Sequence, residues 1–148
     1  MFRKLSTGYK ITSPGLGLAL IFFFLPWVLQ SCGNEPMREY SGLELAIGNG
    51  AEAGKYTGNI FVLLTLIALL VILFFVIQFA KRGSLTGQDT YGVMGISILV
   101  LVLLFQQFVS APGEGINRKV LYGLWGYIIG WLLILIGGVV NAVEQQKK

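Results

Sequence analysis

Four long apolar segments without a charged residue constrain this chain more than any other feature of its sequence. A helix of about 20 residues crosses the roughly 30 Å of a hydrocarbon core, because each residue adds about 1.5 Å. Of the 148 residues, 55% are hydrophobic and only 12% are charged, which is typical of a lipid-exposed protein. Membrane-barrel strands are a poor alternative, because the segments lack the alternation of such strands. The sequence therefore predicts an all-α membrane protein, a single four-transmembrane-helix bundle with spans at about 14–31, 59–80, 91–109 and 120–143 and an outer loop at 32–58.

The distribution of Lys and Arg predicts the orientation of this bundle. Seven basic residues lie near the termini or between the second and third spans, and four lie in the other two connections. Cytoplasmic segments carry the excess of basic residues in membrane proteins, so both the N and C termini are expected in the cytoplasm. The seven are Arg3, Lys4, Lys10, Lys81, Arg82, Lys147 and Lys148, and the four are Arg38, Lys55, Arg118 and Lys119.

The first apolar segment ends at Leu-Gln-Ser-Cys, which allows two interpretations. A basic region and an apolar stretch before Cys32 are typical of a bacterial lipoprotein signal that is cleaved at the cysteine. Gln30 occupies a place where such sites usually hold a small residue, and an uncleaved first span puts both basic ends of the chain on one side. We therefore favour retention of the first span. Cys32 is then a free thiol at the outer interface, with lipidation after cleavage as the alternative.

Two local signals concern the outer side of the predicted bundle. Pro26 has no amide hydrogen, so it is expected to bend or finish the first helix near its outer end. In the outer loop, positions 43–47 are too apolar for a free linker, and Gly-Asn-Gly follows as a turn signal. We expect a short ordered element there, a helix or a hairpin, lying on the bundle.

The fourth span carries a stripe of glycines. Gly126 and Gly130 are four residues apart on one helical face, and Gly123 and Gly137 lie near the same stripe. Small residues at this spacing let two helix backbones approach closely, which matters in lipid because apolar burial gives little drive between helices. The stripe predicts a helix-packing face. The first span is its favoured partner, and another protein is the alternative.

The polar residues inside the spans are few. Proton relays, ion-coupled transporters and voltage sensors need ionisable groups within the membrane, and the four spans contain none. Gln106 and Gln107 are the candidates for a polar intramembrane contact, either at the interface or as an interhelical hydrogen bond. A passive channel or transporter component would use them together with Ser97 to line a polar path.

The sequence offers little for catalysis or metal binding. It has one cysteine and no histidine, so the usual zinc, haem and iron–sulfur ligand sets are unavailable to it. Four glutamates in the outer loop are interpreted as a solvated acidic face rather than a calcium site. Phosphate-binding loops, nucleophile elbows and CxxC motifs are absent from the sequence. We therefore predict no enzyme activity, no cofactor and no metal site. The glutamates are Glu35, Glu39, Glu44 and Glu52.

Two stretches, PWVLQSC and SGLELAIG, resemble a pattern of small uncharacterised bacterial tetraspan membrane proteins. In that pattern Pro-Trp and a Cys end the first span, and Ser-Gly-x-x-Leu-Ala-x-Gly follows in the first outer loop. The resemblance covers about a sixth of the chain and implies a multi-pass protein of the bacterial cytoplasmic (inner) membrane, without an assigned activity. The plan of a larger first and a smaller second outer loop is also similar to claudin-like tetraspans. Claudins, however, carry a paired cysteine in the first loop, and this chain has only Cys32.

These observations together favour a non-catalytic structural or accessory subunit of a larger membrane assembly, such as a respiratory or photosynthetic complex. The expected partners are membrane lipids and other integral membrane subunits, or further copies of the chain. Nucleic acid is not expected, because the basic residues form short groups beside apolar segments rather than one continuous face. The alternatives are a passive channel or transporter component, and a lipid-modified surface protein processed at Cys32.

Overall fold

The computed structural model describes residues 6–32, 38–48, 59–82, 87–109 and 116–147, and these residues are mostly helical. The five helices are α1 (Thr7–Phe23), α2 (Gly42–Ile47), α3 (Ile60–Arg82), α4 (Gly87–Val109) and α5 (Tyr122–Gln146). The three strands are β1 (Pro26–Cys32), β2 (Arg38–Ser41) and β3 (Ile116–Val120).

Three of the helices, α3, α4 and α5, are long and apolar enough to cross a membrane. The prediction of a helical membrane protein is confirmed to this extent. Each of the three continues for 20 residues or more because its sequence is rich in Leu, Ile and Val and contains no proline. Their apolar stretches are Ile60–Lys81, Gln88–Phe108 and Tyr122–Gln146.

The predicted first span over 14–31 does not form one continuous helix, and its helix ends before Pro26, as expected from the missing amide hydrogen of that residue. Helix α1 begins at Thr7 and ends at Phe23, after 17 residues. The chain tightens at this end, where the amide of Phe24 donates to the carbonyl of Ile21 at 3.2 Å. Pro26 cannot donate to a preceding carbonyl, and the chain continues as strand β1. The apolar run is thus divided between a helix and a strand, and the described chain is not wholly α-helical.

Strand β1 is the centre of a three-stranded antiparallel sheet with the order β2-β1-β3. Val28 is in register with Tyr40 on one side and with Val120 on the other. Both rows of backbone groups on β1 therefore have partners, which allows this strand to be buried. The sheet joins the predicted first loop to the predicted second loop at one end of the bundle, called here the sheet end.

The described part of the predicted outer loop is ordered. Helix α2 follows β2 directly and begins with a capping box, in which the Ser41 hydroxyl accepts from the Glu44 amide at 3.3 Å and the Glu44 carboxylate accepts from the Ser41 amide at 2.9 Å. Gly48 ends α2 with φ of 83°, a conformation that favours glycine. The rest of the predicted loop, 33–37 and 49–58, lies outside the described residues.

The four longer helices alternate in direction. The amide of Asn59 donates to the carbonyl of Leu45 at 2.8 Å, which holds the start of α3 at the sheet end. The amide of Thr7 donates to Glu144 at 3.2 Å, so the start of α1 lies beside the end of α5. This opposite end of the bundle is called here the terminal end. Helix α1 packs most extensively on α5, and α4 packs on the other side of α5.

Candidate helix-contact sites

The contact between α1 and α5 is lined by glycines. A Cβ built on Gly130 would lie only 2.8 Å from the Cβ of Ala19, and one on Gly15 would lie 2.8 Å from the Cβ of Leu133. Real side chains do not tolerate such distances, so the two backbones approach as closely as they do because both helices carry glycine here. The four glycines predicted on α5 and the residues they face are Gly123 with Pro26, Gly126 with Phe22, Gly130 with Ala19 and Gly137 with Thr12.

An aromatic cluster closes this contact at the sheet end. The rings of Trp27 and Tyr127 are 4.7 Å apart, and Phe23 meets Trp27 edge-on at 5.5 Å. All three side chains have no exposed surface. Their polar atoms are partnered, since the Trp27 indole donates to the Phe22 carbonyl at 2.9 Å and the Tyr127 hydroxyl donates to the Thr65 carbonyl at 3.3 Å. The cluster therefore fixes the first residues of β1 against α5.

A polar cluster lies at the terminal end, where sequence reasoning did not expect one. The Asn141 amide donates to the Thr90 hydroxyl at 2.9 Å, and the Gln145 amide donates to the same oxygen at 3.3 Å. Thr90 and Asn141 are almost fully buried. The sequence gives one indication of this site. Asn141 follows Gly137 by four residues, so it lies on the same face of α5 as the glycine stripe.

A small cavity of about 20 Å³ adjoins this cluster. Thr12 also lines it, and the Thr12 hydroxyl donates to the carbonyl of Gly8 at 3.0 Å. A cavity of this volume has room for about one water molecule, but most of its lining is apolar. The hydrogen bonds of the cluster thus join α4 to α5, and the cavity extends from them to α1, at the end opposite the aromatic cluster.

The structure does not bring the residues of the predicted polar path to one surface. The hydroxyl of Ser97 is buried and donates to the carbonyl of Val93 at 2.8 Å. Gln106 is exposed and Gln107 is half-buried. Ser97 and Gln106 are nine positions apart, which is about two and a half helical turns, so the two side chains lie on opposite faces of α4.

Cys32 is the last residue of β1, and its backbone is in register with Ile116 of β3. The position belongs to the central strand of the sheet. The residue predicted as an interface thiol therefore lies at the sheet end, beside the paired backbone of the second connection.

One face of α4 has no partner within the described chain, and we call it the open face. A Cβ built on Gly92 or on Gly95 would meet nothing within 4 Å, unlike the glycines of α5. Leu99 and Val102 continue this face with 59% and 47% of their side chains exposed. Gln106 lies on the same face toward the sheet end, since the five positions fall within about 80° at 3.6 residues per turn.

Comparisons with known proteins add no assignment. The chain matches no protein-family model, no curated protein and no solved structure. Within the five described ranges, His, Cys, Asp and Glu form no group of three or more that is placed to hold a metal ion.

Proposed function

We propose that the chain is a non-catalytic accessory subunit of a larger membrane assembly and that it docks through the open face of α4. The observation that carries this proposal is the pair of exposed glycines, Gly92 and Gly95, with open space above both. Glycine in a helix costs about 1 kcal/mol relative to alanine, and these two serve no close approach within the described chain. Both glycines would allow a helix of another subunit to approach α4 closely.

The amide of Gln106 supports the same surface. An exposed amide on an apolar helix face is favourable where a neighbouring helix supplies a hydrogen-bond partner. Gln106 lies about one turn from the end of α4, while the glycines lie near the start. A partner helix running along α4 would therefore meet small residues at one end and a hydrogen-bonding group at the other.

The proposed topology has four spans, with both termini in the cytoplasm of a bacterium. Helix α1 is 17 residues long, which gives about 26 Å and reaches the lower limit for a span. The alternating helix directions support this arrangement, because an even number of spans returns the chain to its starting side. The excess of basic residues at the terminal end supports the orientation.

Retention of the first segment is part of the proposal. Cleavage before Cys32 would remove α1 and almost all of β1, including Phe23, Trp27 and Val28, none of which has exposed side-chain surface. The remaining sheet would lose its central strand. A mature chain that begins at Cys32 would therefore lack its core, which argues against processing there.

Native mass spectrometry in mild detergent tests the proposed docking. The wild-type protein should co-purify with stoichiometric integral membrane partners, or with further copies of itself, and carry its uncleaved first segment. Gly95→Leu and Gln106→Leu should each reduce partner occupancy severalfold. The first substitution adds a bulky side chain to the open face, and the second removes its hydrogen-bonding amide. Gly17→Leu is the matched control, since a Cβ at Gly17 also meets nothing within 4 Å.

Two results would contradict the proposal. One is a lone wild-type monomer under the mildest detergents that keep the protein folded. The other is equal partner occupancy in Gly95→Leu and Gly17→Leu, which would place any docking surface elsewhere.

A further inference from the structure

A second surface of α4, facing away from the open face, forms a groove with α5 at the sheet end. The groove has a volume of about 390 Å³ and is lined by hydrophobic residues. Leu104 and Leu124 form its floor and are 3% and 2% exposed, while Phe105 and Trp125 stand at its sides and are 66% and 60% exposed. This volume is typical of small-ligand sites in proteins.

The groove runs along α4 and α5, which is the direction of the membrane normal in the proposed topology. Val120 of β3 lies at its upper end, and Leu132 lines it two turns further along α5 than Leu124. The eight residues from Leu124 to Leu132 correspond to about 12 Å along the helix. A site with this direction and lining suits an extended hydrocarbon chain whose polar end is at the sheet.

A basic residue lies next to the end of the groove at the sheet. Lys119 directly precedes Val120 and is exposed on the opposite face of the strand, so the ammonium group reaches the end of the groove through its flexible four-carbon side chain. The nearest described carboxylate on the sheet is that of Glu39, two strands away, because Lys119 and Glu39 are both in register with Leu29. Two strand spacings amount to about 10 Å, so the carboxylate does not compete for a ligand beside Lys119.

The shape of the groove favours a lipid chain over a helix. A helix with its side chains is 10 to 12 Å across, so the exposed rings of Phe105 and Trp125 would hold its backbone away from Leu104 and Leu124, and only single side chains would enter the groove. A hydrocarbon chain is narrow enough to contact the floor and both sides at once, and these dispersion contacts favour its binding. Exposed Tyr122 and Trp125 mark the level of the interface, where amphipathic rings are favoured.

We infer that this groove binds one acyl chain of an anionic phospholipid, whose phosphate lies beside Lys119. This site is separate from the open face of α4 and does not depend on the proposed docking. The site recognises both the hydrocarbon chain and the negative charge of its ligand.

The test measures lipid affinity by native mass spectrometry of the full chain in detergent. Phosphatidylglycerol and phosphatidylcholine with identical acyl chains are the two probes, and glycerol phosphate is a competitor without chains. Phosphatidylglycerol should bind about fivefold more tightly than phosphatidylcholine, since one basic residue near a lipid surface contributes about 1 kcal/mol. Lys119→Gln should abolish this preference, and Lys10→Gln, at the other end of the bundle, is its control.

Leu132→Trp should weaken both lipids severalfold, because the larger side chain takes space in the groove. Its control is Ile136→Trp, one turn further along the same helix and 50% exposed. Leu132 is itself 42% exposed, so the variant should fold, which thermal unfolding checks.

The inference fails if wild type does not prefer phosphatidylglycerol, if Lys119→Gln behaves as Lys10→Gln, or if Leu132→Trp behaves as Ile136→Trp. It also fails if glycerol phosphate displaces the lipid at equal concentration, or if a photo-crosslinker at position 105 captures a polypeptide instead of lipid.

Discussion

Single residues decide how closely the helices of this protein approach. Glycine at position 130 leaves room for Ala19, whereas glycine at position 95 faces open space. The same residue type therefore has opposite consequences at the two positions. Spacing along α5 predicted the stripe, but only the structure shows that α1 occupies it.

Gly130→Ala tests this difference directly. The new Cβ would lie 2.8 Å from the Ala19 backbone nitrogen, so α1 has to move. We expect a loss of about 1 to 3 kcal/mol in the free energy of unfolding, as for overpacking in other cores. Thermal unfolding in one detergent measures the change, and Gly95→Ala should be neutral or stabilising because alanine is the better helix former. Equal melting temperatures would show that the contact is looser than described.

Thr90→Val tests the polar cluster. The substitution keeps the shape of the side chain but removes the oxygen that accepts from Asn141 and Gln145. Interhelical hydrogen bonds in membranes contribute about 0.6 kcal/mol on average and up to about 1.7, so we expect a loss of about 1 kcal/mol. Denaturant unfolding measures it, with Thr90→Ser as the control that retains the acceptor. The cluster has no stabilising role if the two variants unfold alike.

At the scale of elements, the sequence predicted the long helices well and the sheet not at all. The boundaries of α3 agree with the predicted span to within two residues, because the apolar composition changes sharply at both ends. Helix α4 begins earlier than predicted, since its first turn contains polar residues such as Asp89. Strand β1 was assigned to a helix because a short apolar run has the same composition in either structure. Its partners are also remote, with β3 more than 80 residues away.

Ser41→Ala tests the capping box of α2. The variant loses the acceptor for the Glu44 amide and the donor to its carboxylate, which typically costs about 1 kcal/mol. Hydrogen exchange over residues 42–48 should accelerate about fivefold while exchange in α1 stays unchanged. Glu39→Ala, in the neighbouring strand and outside the box, is the control. Unchanged exchange in Ser41→Ala would mean that packing alone holds α2.

At the scale of the whole molecule, the proposed topology places the sheet end outside and the terminal end inside. Cys32 is the only cysteine, so a Cys32→Ser background permits labelling at chosen positions. Glu39→Cys should react with a membrane-impermeant maleimide in intact cells, because Glu39 is exposed on β2. Lys147→Cys should react only after the membrane is permeabilised. The reverse pattern would invert the orientation, and labelling of both in intact cells would contradict an even number of spans.

The pairing of α1 with α5 also bears on biosynthesis. Helix α1 is synthesised before the other described helices, yet its most extensive contact is with α5, and β1 pairs with β3, which is also synthesised much later. During synthesis, the glycine-lined surface of α1 therefore remains without its final neighbour, and the indole of Trp27 without Tyr127, until α5 has entered the membrane. Nascent chains that stop before Tyr122 should consequently be recognised as incomplete and degraded, even when α1, α3 and α4 are already inserted.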